Sequence, residues 1–269
     1  MTPTDPLDEL VTAVRAAARY RHIHAGLVRS VGAQELAKGR KFKEAVKATR
    51  NKLYQVGGAY QEQMIDYPAA NHELERLPQD LHDPAAQAFC RRIMAAHSST
   101  RERLLILEDF YSEILSPLRP VRSVLDLACG LNPLARPWMP LQADTLYYAC
   151  DIYADMVAFL NHFWRHMRLP GEAWLCDLTQ GAPQQPVQLA LVLKTIPCLE
   201  QLDKGAGRRL LESLQAEVIL VSFPAQSLGG RSKGMVVNYE AHFCELVKGF
   251  DWHFERYEFS TELAFLIRR

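Results

Sequence analysis

Three aspartates, Asp126, Asp151 and Asp177, sit at the ends of apolar, strand-like runs reading SVLDL, TLYYACD and AWLCD. A carboxylate at the carboxyl end of a parallel strand faces the crevice where such sheets bind ligands. There it can accept hydrogen bonds from ribose hydroxyls or meet the edge of a base. Asp151 follows Asp126 by 25 residues, roughly the distance at which nucleotide-binding sheets place their ribose acceptor. The first run, VRSVLDLACGLNP, breaks into a turn at Gly130, and a helical segment can start at Pro133, a residue suited to a first helical position. A residue without a Cβ in that turn lets a ligand approach the backbone. A dinucleotide fingerprint carries three glycines and this turn has one, which argues against a pyrophosphate on the helix N-terminus and hence against NAD or FAD. A nucleoside ligand without phosphate, such as S-adenosylmethionine, fits better. Strand-end aspartates also commonly cap the next helix, and the turn alone suits any α/β protein. Three such acids in succession favour a ligand site.

The fourth apolar run ends LALVLKTIPCLE. Enzymes that methylate exocyclic amines usually place an Asn/Asp-Pro-Pro-aromatic turn here to grip the amine; this chain has Lys194-Thr195-Ile196-Pro197. The difference points to a nucleophile that needs no such grip. Guanine N7 is one: its lone pair is free at neutral pH, and attack on a sulfonium methyl loses no proton. Such chemistry requires in-line placement and a partner for developing charge, and placement alone is worth about 7–11 kcal/mol. After the fifth run comes VSFPAQSLGGRSKGM, whose Gly229, Gly230 and Gly234 favour mobility and whose Arg231 and Lys233 make it basic. A loop of that kind can clamp phosphate or RNA backbone over the site. It can equally be a solvent loop whose glycines turn the chain.

Positioning these groups is the task of an alternating pattern that begins near Arg119. Candidate strands are Ser123–Ala128, Thr145–Cys150, Ala173–Cys176, Gln188–Lys194 and Glu217–Phe223, and candidate helices are Tyr153–Met167, Asp203–Leu214 and Asn238–Gly249. Two final runs, His253–Phe259 and Glu262–Ile267, read as a closing antiparallel pair. Five parallel strands and a terminal hairpin are the pattern of class I, Rossmann-like methyltransferases: an α/β fold on a mainly parallel seven-stranded sheet. The preceding residues read as all-helical. A helix is expected over 5–30, with Asp5 before Pro6 as its cap, and a basic amphipathic one over 41–56 that ends at Gly57-Gly58. Residues 61–84 read as loop. Further helices are expected over Pro84–Ala96 and from Ser98 or Ser99 to Ser116, where Ser99-Thr100-Arg101-Glu102 resembles a capping box. The expected division is a helical domain over residues 1–105 and a cofactor-binding domain over 106–269.

The 269 residues are 48% hydrophobic and 23% charged, ordinary for a globular chain, with no run of membrane-spanning length. MTPTDPLDEL has neither a basic n-region nor an apolar h-region, so no secretory signal is expected and the protein is expected in the cytoplasm. None of the six cysteines forms a CxxC pair; they read as reduced core residues, and no metal is expected. Net charge is zero but unevenly spread. Residues 1–60 carry eleven Lys/Arg against five Asp/Glu, and all eleven lie between Arg15 and Lys52 with only Glu35 and Glu44 opposing them. That concentration suggests a polyanionic partner at this end, although a short charge run is more often a solvated helix face.

HSSTRERL (97–104), VLDLACGLNPLARPWM (124–139), YACDI (148–152), LVLKTIPCLE (191–200) and SFPAQSLGGRSKGM (222–235) together resemble the aminoglycoside-resistance 16S rRNA (guanine(1405)-N(7))-methyltransferases, that is, the actinobacterial self-resistance enzymes and the acquired Arm/Rmt enzymes. With weaker similarity over the N-terminal helices, the resemblance spans nearly the whole chain. It implies an enzyme that transfers a methyl group from S-adenosyl-L-methionine to that guanine in the assembled 30S subunit, acting as a monomer and conferring resistance to kanamycin- and gentamicin-type drugs. Carried over by motif, it implies that His97, Ser98, Ser99, Thr100, Arg101, Glu102 and Arg103 contribute to the cofactor pocket, with Arg103 facing the methionine carboxylate. Ala128 and Gly130 would pack on the cofactor. Asp151 with Ile152 would take the ribose, and Asp177 with Leu178 would border the adenine. Leu193 would line the pocket, Tyr60 would reach it from the N-terminal domain, and either Gln201 or Leu202 would add a contact. Lys194 and Arg231 would meet the target base or backbone at the reaction centre. Lys38, Arg40, Lys41, Lys43, Lys47, Arg50, Lys52, Arg231 and Lys233 would hold rRNA.

Two rival readings stand beside this one. A methyltransferase for another rRNA position or for a small molecule would share the sheet, but a small-molecule enzyme has no use for the basic N-terminus. A non-catalytic ribosome-binding factor would bind RNA and lack cofactor affinity.

Overall fold

The structure, a computed structural model, describes residues 5–58, 64–226 and 234–269. Its centre is a seven-stranded sheet in the order β3-β2-β1-β4-β5-β7-β6. β1 (Ser123–Leu127), β2 (Leu146–Asp151), β3 (Gly171–Leu175), β4 (Val187–Leu193) and β5 (Ala216–Pro224) run parallel. β7 (Glu262–Arg268) pairs antiparallel with β5, and β6 (His253–Glu258) antiparallel with β7. The expected mainly parallel sheet with its closing hairpin is therefore present. The chain leaves β1 towards β2 on one side and enters β4 on the other, so the carboxyl ends of β1 and β4 flank the point where strand order reverses. Ligands bind at that point in open α/β sheets.

Period-two alternation divides the sheet into two faces. Leu125, Leu127, Ala190, Val192, Ile219 and Val221 pack against α10 (Ala206–Ser213) and α11 (Met235–Val247). Val124, Tyr147, Leu189, Leu191 and Leu220 face α8 (Ala154–His166) and the N-terminal helices. That second core is continuous from Leu10 and Val28 through Phe110 and Phe159 to Leu266, and it crosses residue 105 without interruption.

The N-terminal region is helical, but in shorter pieces than expected. α1 (Pro6–Arg15) is capped by the Asp5 carboxylate, which accepts from the Leu7 amide at 3.0 Å. It does not run on to residue 30. Residues 16–24 break the helix because Ile23 forms a bridge with Tyr153. The His24 amide donates to the Ile152 carbonyl at 2.7 Å and the Ala154 amide to the His22 carbonyl at 2.8 Å. These bonds tie the N-terminal region to the end of β2. α2 (Ala25–Ala37) and α3 (Phe42–Val56) follow and pack on α1. The stretch read as loop holds α4 (Tyr67–Leu74), started by Asp66 capping the Ala69 amide. α5 (Pro84–Met94) is capped by Asp83.

The helix expected from Ser98 to Ser116 is two, α6 (Ser98–Arg103) and α7 (Leu107–Leu115). The capping box is not formed: His97 holds the cap position, and Glu102 pairs with Lys194 instead. The segment after β1 is a 3-10 helix over Asn132–Trp138, and a four-residue α9 (Ile196–Leu199) follows β4. Among the described residues no helix is long and apolar enough to cross a membrane.

Candidate functional site

At the carboxyl ends of β1 to β4 the sheet opens into a cavity that encloses, with the solvent at its mouth, about 780 Å³; clefts at this place in α/β sheets are where small molecules bind. Ala128 and Gly130 line it after β1, Asp151 to Tyr153 after β2, Cys176 to Thr179 after β3 and Leu193 to Thr195 after β4. Leu199 and Leu202 close one wall. Leu27, Val56 and Gly57 cover it from the N-terminal helices. The backbone is bent sharply where the two central strands end: Ala128, Gly130 and Lys194 have φ of +48°, +51° and +58°. The left-handed region costs a residue with a Cβ about 1–3 kcal/mol and persists where the surroundings impose it, most often at functional sites. A Cβ on Gly130 would stand 3.1 Å from the His97 ring, so the glycine also permits the ring's close approach. Gly57 is required for a similar reason, because a Cβ there would lie 2.7 Å from the Tyr153 hydroxyl.

Asp151 holds the first two turns together. One carboxylate oxygen accepts from the Gly130 amide at 2.9 Å, the other from the Ile152 amide at 2.6 Å and the Tyr153 amide at 3.3 Å. Burial raises its pKa to about 6, against the pull of those amides. Only the ionised carboxylate accepts hydroxyl protons through both oxygens; protonation turns one of them into a donor. Ligand affinity that depends on Asp151 is therefore expected to be flat above about pH 7 and to fall by up to about tenfold per unit below about pH 6. Calorimetric titration of S-adenosylmethionine across that range checks this; a profile flat down to about pH 5, well below the raised pKa, contradicts it.

Asp177 uses Oδ1 to accept from the amide and hydroxyl of Thr179, at 3.0 and 2.7 Å, while its buried Oδ2 has no partner among the described residues. A buried acceptor left unpaired is costly, and in a cavity it marks where a ligand donor belongs. His97, on the wall near Gly130, is kept neutral: burial and the cations Arg103, Lys194 and Arg101 lower its pKa to about 4.

Behind the cavity lies a buried charge network. Arg103, 1% exposed, donates through Nε and Nη2 to both oxygens of the fully buried Glu262, at 3.1 and 2.5 Å, and through Nη1 to Asn132 Oδ1 at 2.8 Å. Ser222 donates to Glu262 at 2.6 Å, and the Lys194 ammonium lies 3.5 Å from it. Burial pushes the Glu262 carboxyl up, but Arg103 and Lys194 prevail and hold it below the usual range. Asn132 donates to Asp126 Oδ2 at 2.8 Å, as does the Tyr147 hydroxyl. Burial raises the Asp126 pKa to about 7 in spite of those bonds. Lys194, which itself lines the cavity, joins this network to the wall and also donates to Glu102 at 2.7 Å.

The expected site residues separate accordingly. His97, Ser99, Ala128, Gly130, Asp151, Ile152, Asp177, Leu178, Leu193 and Lys194 share the cavity. Ser98, Thr100, Arg101, Glu102 and Arg103 do not line it. Ser98 and Thr100 are buried, and the Thr100 hydroxyl donates to the Met94 and His97 carbonyls. Of the two residues after the PCLE segment, Leu202 lines the cavity and Gln201 is exposed outside it. Asp126 does not converge on the crevice with the other two acids; one position before the strand end, its side chain turns to the opposite face. Cys176 and Cys198 line the cavity and Cys244 is exposed, so these three are not core residues. Lys38, Arg40, Lys41, Lys43 and Lys47 are exposed, whereas Arg50 is half-buried and donates to the Ala13 carbonyl at 2.5 Å. Tyr60, Arg231 and Lys233 lie outside the described residues. Sequence reasoning missed Leu27, Val56 and Gly57, for which the Gly57-Gly58 pair ending α3 was the available signal. It also missed the roles of Asn132 and Ser222, which sit inside the motifs at 124–139 and 222–235, and Glu262, which no motif marks.

Comparison with known proteins places this geometry in context. Residues 16–266 match the family model described as ribosomal RNA methyltransferase (FmrO). The 16S rRNA (guanine(1405)-N(7))-methyltransferase of Micromonospora echinospora is 34% identical over 269 residues, 99% of this chain and 98% of its own. That of Frankia casuarinae is 36% identical over 266 residues, 98% and 94%. Among solved structures, the 16S rRNA methyltransferase RmtF in complex with S-adenosyl-L-homocysteine superposes with a TM-score of 0.83 at 32% identity, covering 98% of each chain. The 16S rRNA methylase RmtB superposes with a TM-score of 0.81 at 28% identity, covering 99% of each.

Proposed function

Because the chain belongs to the FmrO family of ribosomal RNA methyltransferases, we propose that its sheet-end cavity is where a methyl group passes from S-adenosyl-L-methionine to N7 of guanine 1405 in 16S rRNA. One observation carries this reading: Gly130 and Asp151, from the motifs that end β1 and β2, and Asp177, which follows β3, line a single cavity where the strand order reverses.

The residues present fit the cofactor. Asp151 accepts from the ribose hydroxyls, and Asp177 Oδ2, which has no partner among the described residues, accepts from the adenine amino group. Leu178, Leu193 and Leu202 cover the apolar faces, and the Gly130 turn lets the cofactor approach the main chain. Bound there, the cofactor supplies an electrophilic methyl on a sulfonium. Guanine N7 carries no proton, so the chain needs no general base. This suits a site whose histidine is held neutral by burial and whose lysine is paired. The work left to the protein is placement and charge compensation. Lys194 donates to guanine O6, the acceptor beside N7. Glu102, at 27% exposure, offsets the positive charge that forms on the base.

The basic N-terminal region, about residues 1–105, docks on folded rRNA by shape and phosphate charge, because duplex RNA offers little sequence to read. Residues 106–269 hold the sheet that binds the cofactor, with Leu27, Val56 and Gly57 of the docking region completing the cavity. The substrate is the assembled 30S subunit and the enzyme acts as a monomer in the cytoplasm. Methylation adds bulk and positive charge where cationic aminoglycosides of the kanamycin and gentamicin type bind, which gives resistance. Purified protein with tritiated S-adenosylmethionine should label intact 30S subunits and leave naked 16S rRNA unlabelled. Label on naked RNA alone would assign the enzyme to an assembly stage. Binding to 30S without label would favour the non-catalytic factor.

A further inference from the structure

Glu35 is the one acid among the charges of α2 that is buried, at 1% exposure, and three cations converge on it. Lys38 donates to Oε1 at 2.6 Å and Arg40 to Oε2 at 2.8 Å, while the Lys52 ammonium lies 3.4 Å from Oε1. Lys38 and Arg40 come from the turn after α2, where Gly39 takes φ +73°, and Lys52 comes from α3. Burial alone would raise the Glu35 pKa, but Lys38 and Lys52 bring it below the usual carboxylate range, so the group is ionised. The carboxylate side chain is 2% exposed, while those of Lys38, Arg40 and Lys52 are 49%, 44% and 26% exposed. A ligand approaching from solvent therefore meets three cations whose shared carboxylate is buried beneath them.

A carboxylate in this position cancels only one of three charges and offsets the mutual repulsion that would splay long, rotamer-rich side chains apart. What it gains for the protein is order. Three cations held at fixed spacing pay less entropy on meeting phosphates than three free ones. A plain fold staple between α2 and α3 could be made with one cation; recruiting three leaves a net double positive charge on an exposed surface. We infer that Glu35 is a positioning residue that presents Lys38, Arg40 and Lys52 as a preorganised cluster for the phosphodiester backbone of the substrate RNA. This inference rests on the reading of the N-terminal region as the rRNA-docking face.

Charge arithmetic and preorganisation predict opposite signs for one substitution. Glu35→Gln makes the surface more positive and should tighten RNA binding if charge alone counts. If Glu35 positions the cluster, KM for 30S subunits at physiological ionic strength rises about tenfold through the ordering entropy no longer prepaid. In that case kcat at saturating 30S, S-adenosylmethionine affinity and the melting temperature stay at their wild-type values. Glu35→Asp, which keeps the charge on a shorter arm, falls between. An unchanged or lowered KM for Glu35→Gln overturns the inference. So does loss of the fold in both variants, because the carboxylate is then structural. Lys52→Met separates this failure from failure of the docking reading: it should raise KM and lower the salt slope of 30S binding by about 1. If it changes neither while Lys38→Ala and Arg40→Ala are also silent, this face does not touch rRNA.

Discussion

Replacing Asp151 by alanine is expected to lower S-adenosylmethionine affinity by about 10²- to 10⁴-fold, to the limit of calorimetric detection. The size follows from two losses. A carboxylate that accepts from two ribose hydroxyls makes charge-assisted hydrogen bonds, each worth about 1.5–3 kcal/mol. The same carboxylate fixes the Gly130, Ile152 and Tyr153 amides. Without it the turn after β1 loses its tie to the end of β2, and the cofactor would have to reorder both. Asp151→Asn keeps the shape and one acceptor, so its affinity should lie between wild type and alanine, and it should abolish the dependence on pH near 6. Wild-type affinity in Asp151→Ala would remove the ribose assignment and, with it, the orientation of the cofactor in the cavity.

The second large effect is on stability. Glu262→Ala leaves the Arg103 guanidinium at 1% exposure without its counter-charge. Removing one partner of a buried pair costs about 3–5 kcal/mol, mostly the penalty of the stranded charge. The prediction is a shift of that size in the urea denaturation free energy, accompanied by loss of methylation as Lys194 loses its second carboxylate. The double variant Arg103→Met, Glu262→Met removes both charges and should recover most of the stability without the activity, because apolar replacement of a buried pair is often close to neutral. A Glu262→Ala protein within about 1 kcal/mol of wild type would mean that Arg103 finds another acceptor or reaches solvent.

The sheet was legible because strand signals are local. Apolar, β-branched runs separated by turn residues mark β1 to β5, and each strand end falls within two residues of its expected place. Asp151 and Asp177 were legible for the same reason, being the last polar residues before a turn. Asp126 looked equivalent in sequence, yet β1 ends at Leu127, and period-two alternation sends position 126 to the face of α7 and α8 rather than to the crevice. Contacts between segments far apart in the chain were not legible. The break between α1 and α2 is imposed by Tyr153, some 130 residues onward, and nothing in the Ala-rich segment announces it. The Ser99 to Glu102 pattern has the spacing of a capping box, but a buried lysine 92 residues away offers Glu102 a stronger partner. Arg103 is expected to face the cofactor carboxylate, and nothing near it in sequence announces that Glu262, 159 residues later, accepts from its Nε and Nη2. The short α4 is started by Asp66 and Pro68 among loop-forming residues, and at eight residues it shows too little period to be read.

Methyl transfer to one ring nitrogen of one guanine can be read at that atom itself. Thirty-S subunits incubated with the enzyme and S-adenosylmethionine would have their 16S rRNA extracted, treated with borohydride and aniline, which cleave the chain at 7-methylguanosine, and mapped by primer extension. A single new cleavage at guanine 1405 is expected, absent without cofactor and absent with Asp151→Ala. Incorporated methyl label without cleavage there would mean another atom or another nucleotide is the target, and would contradict that expectation.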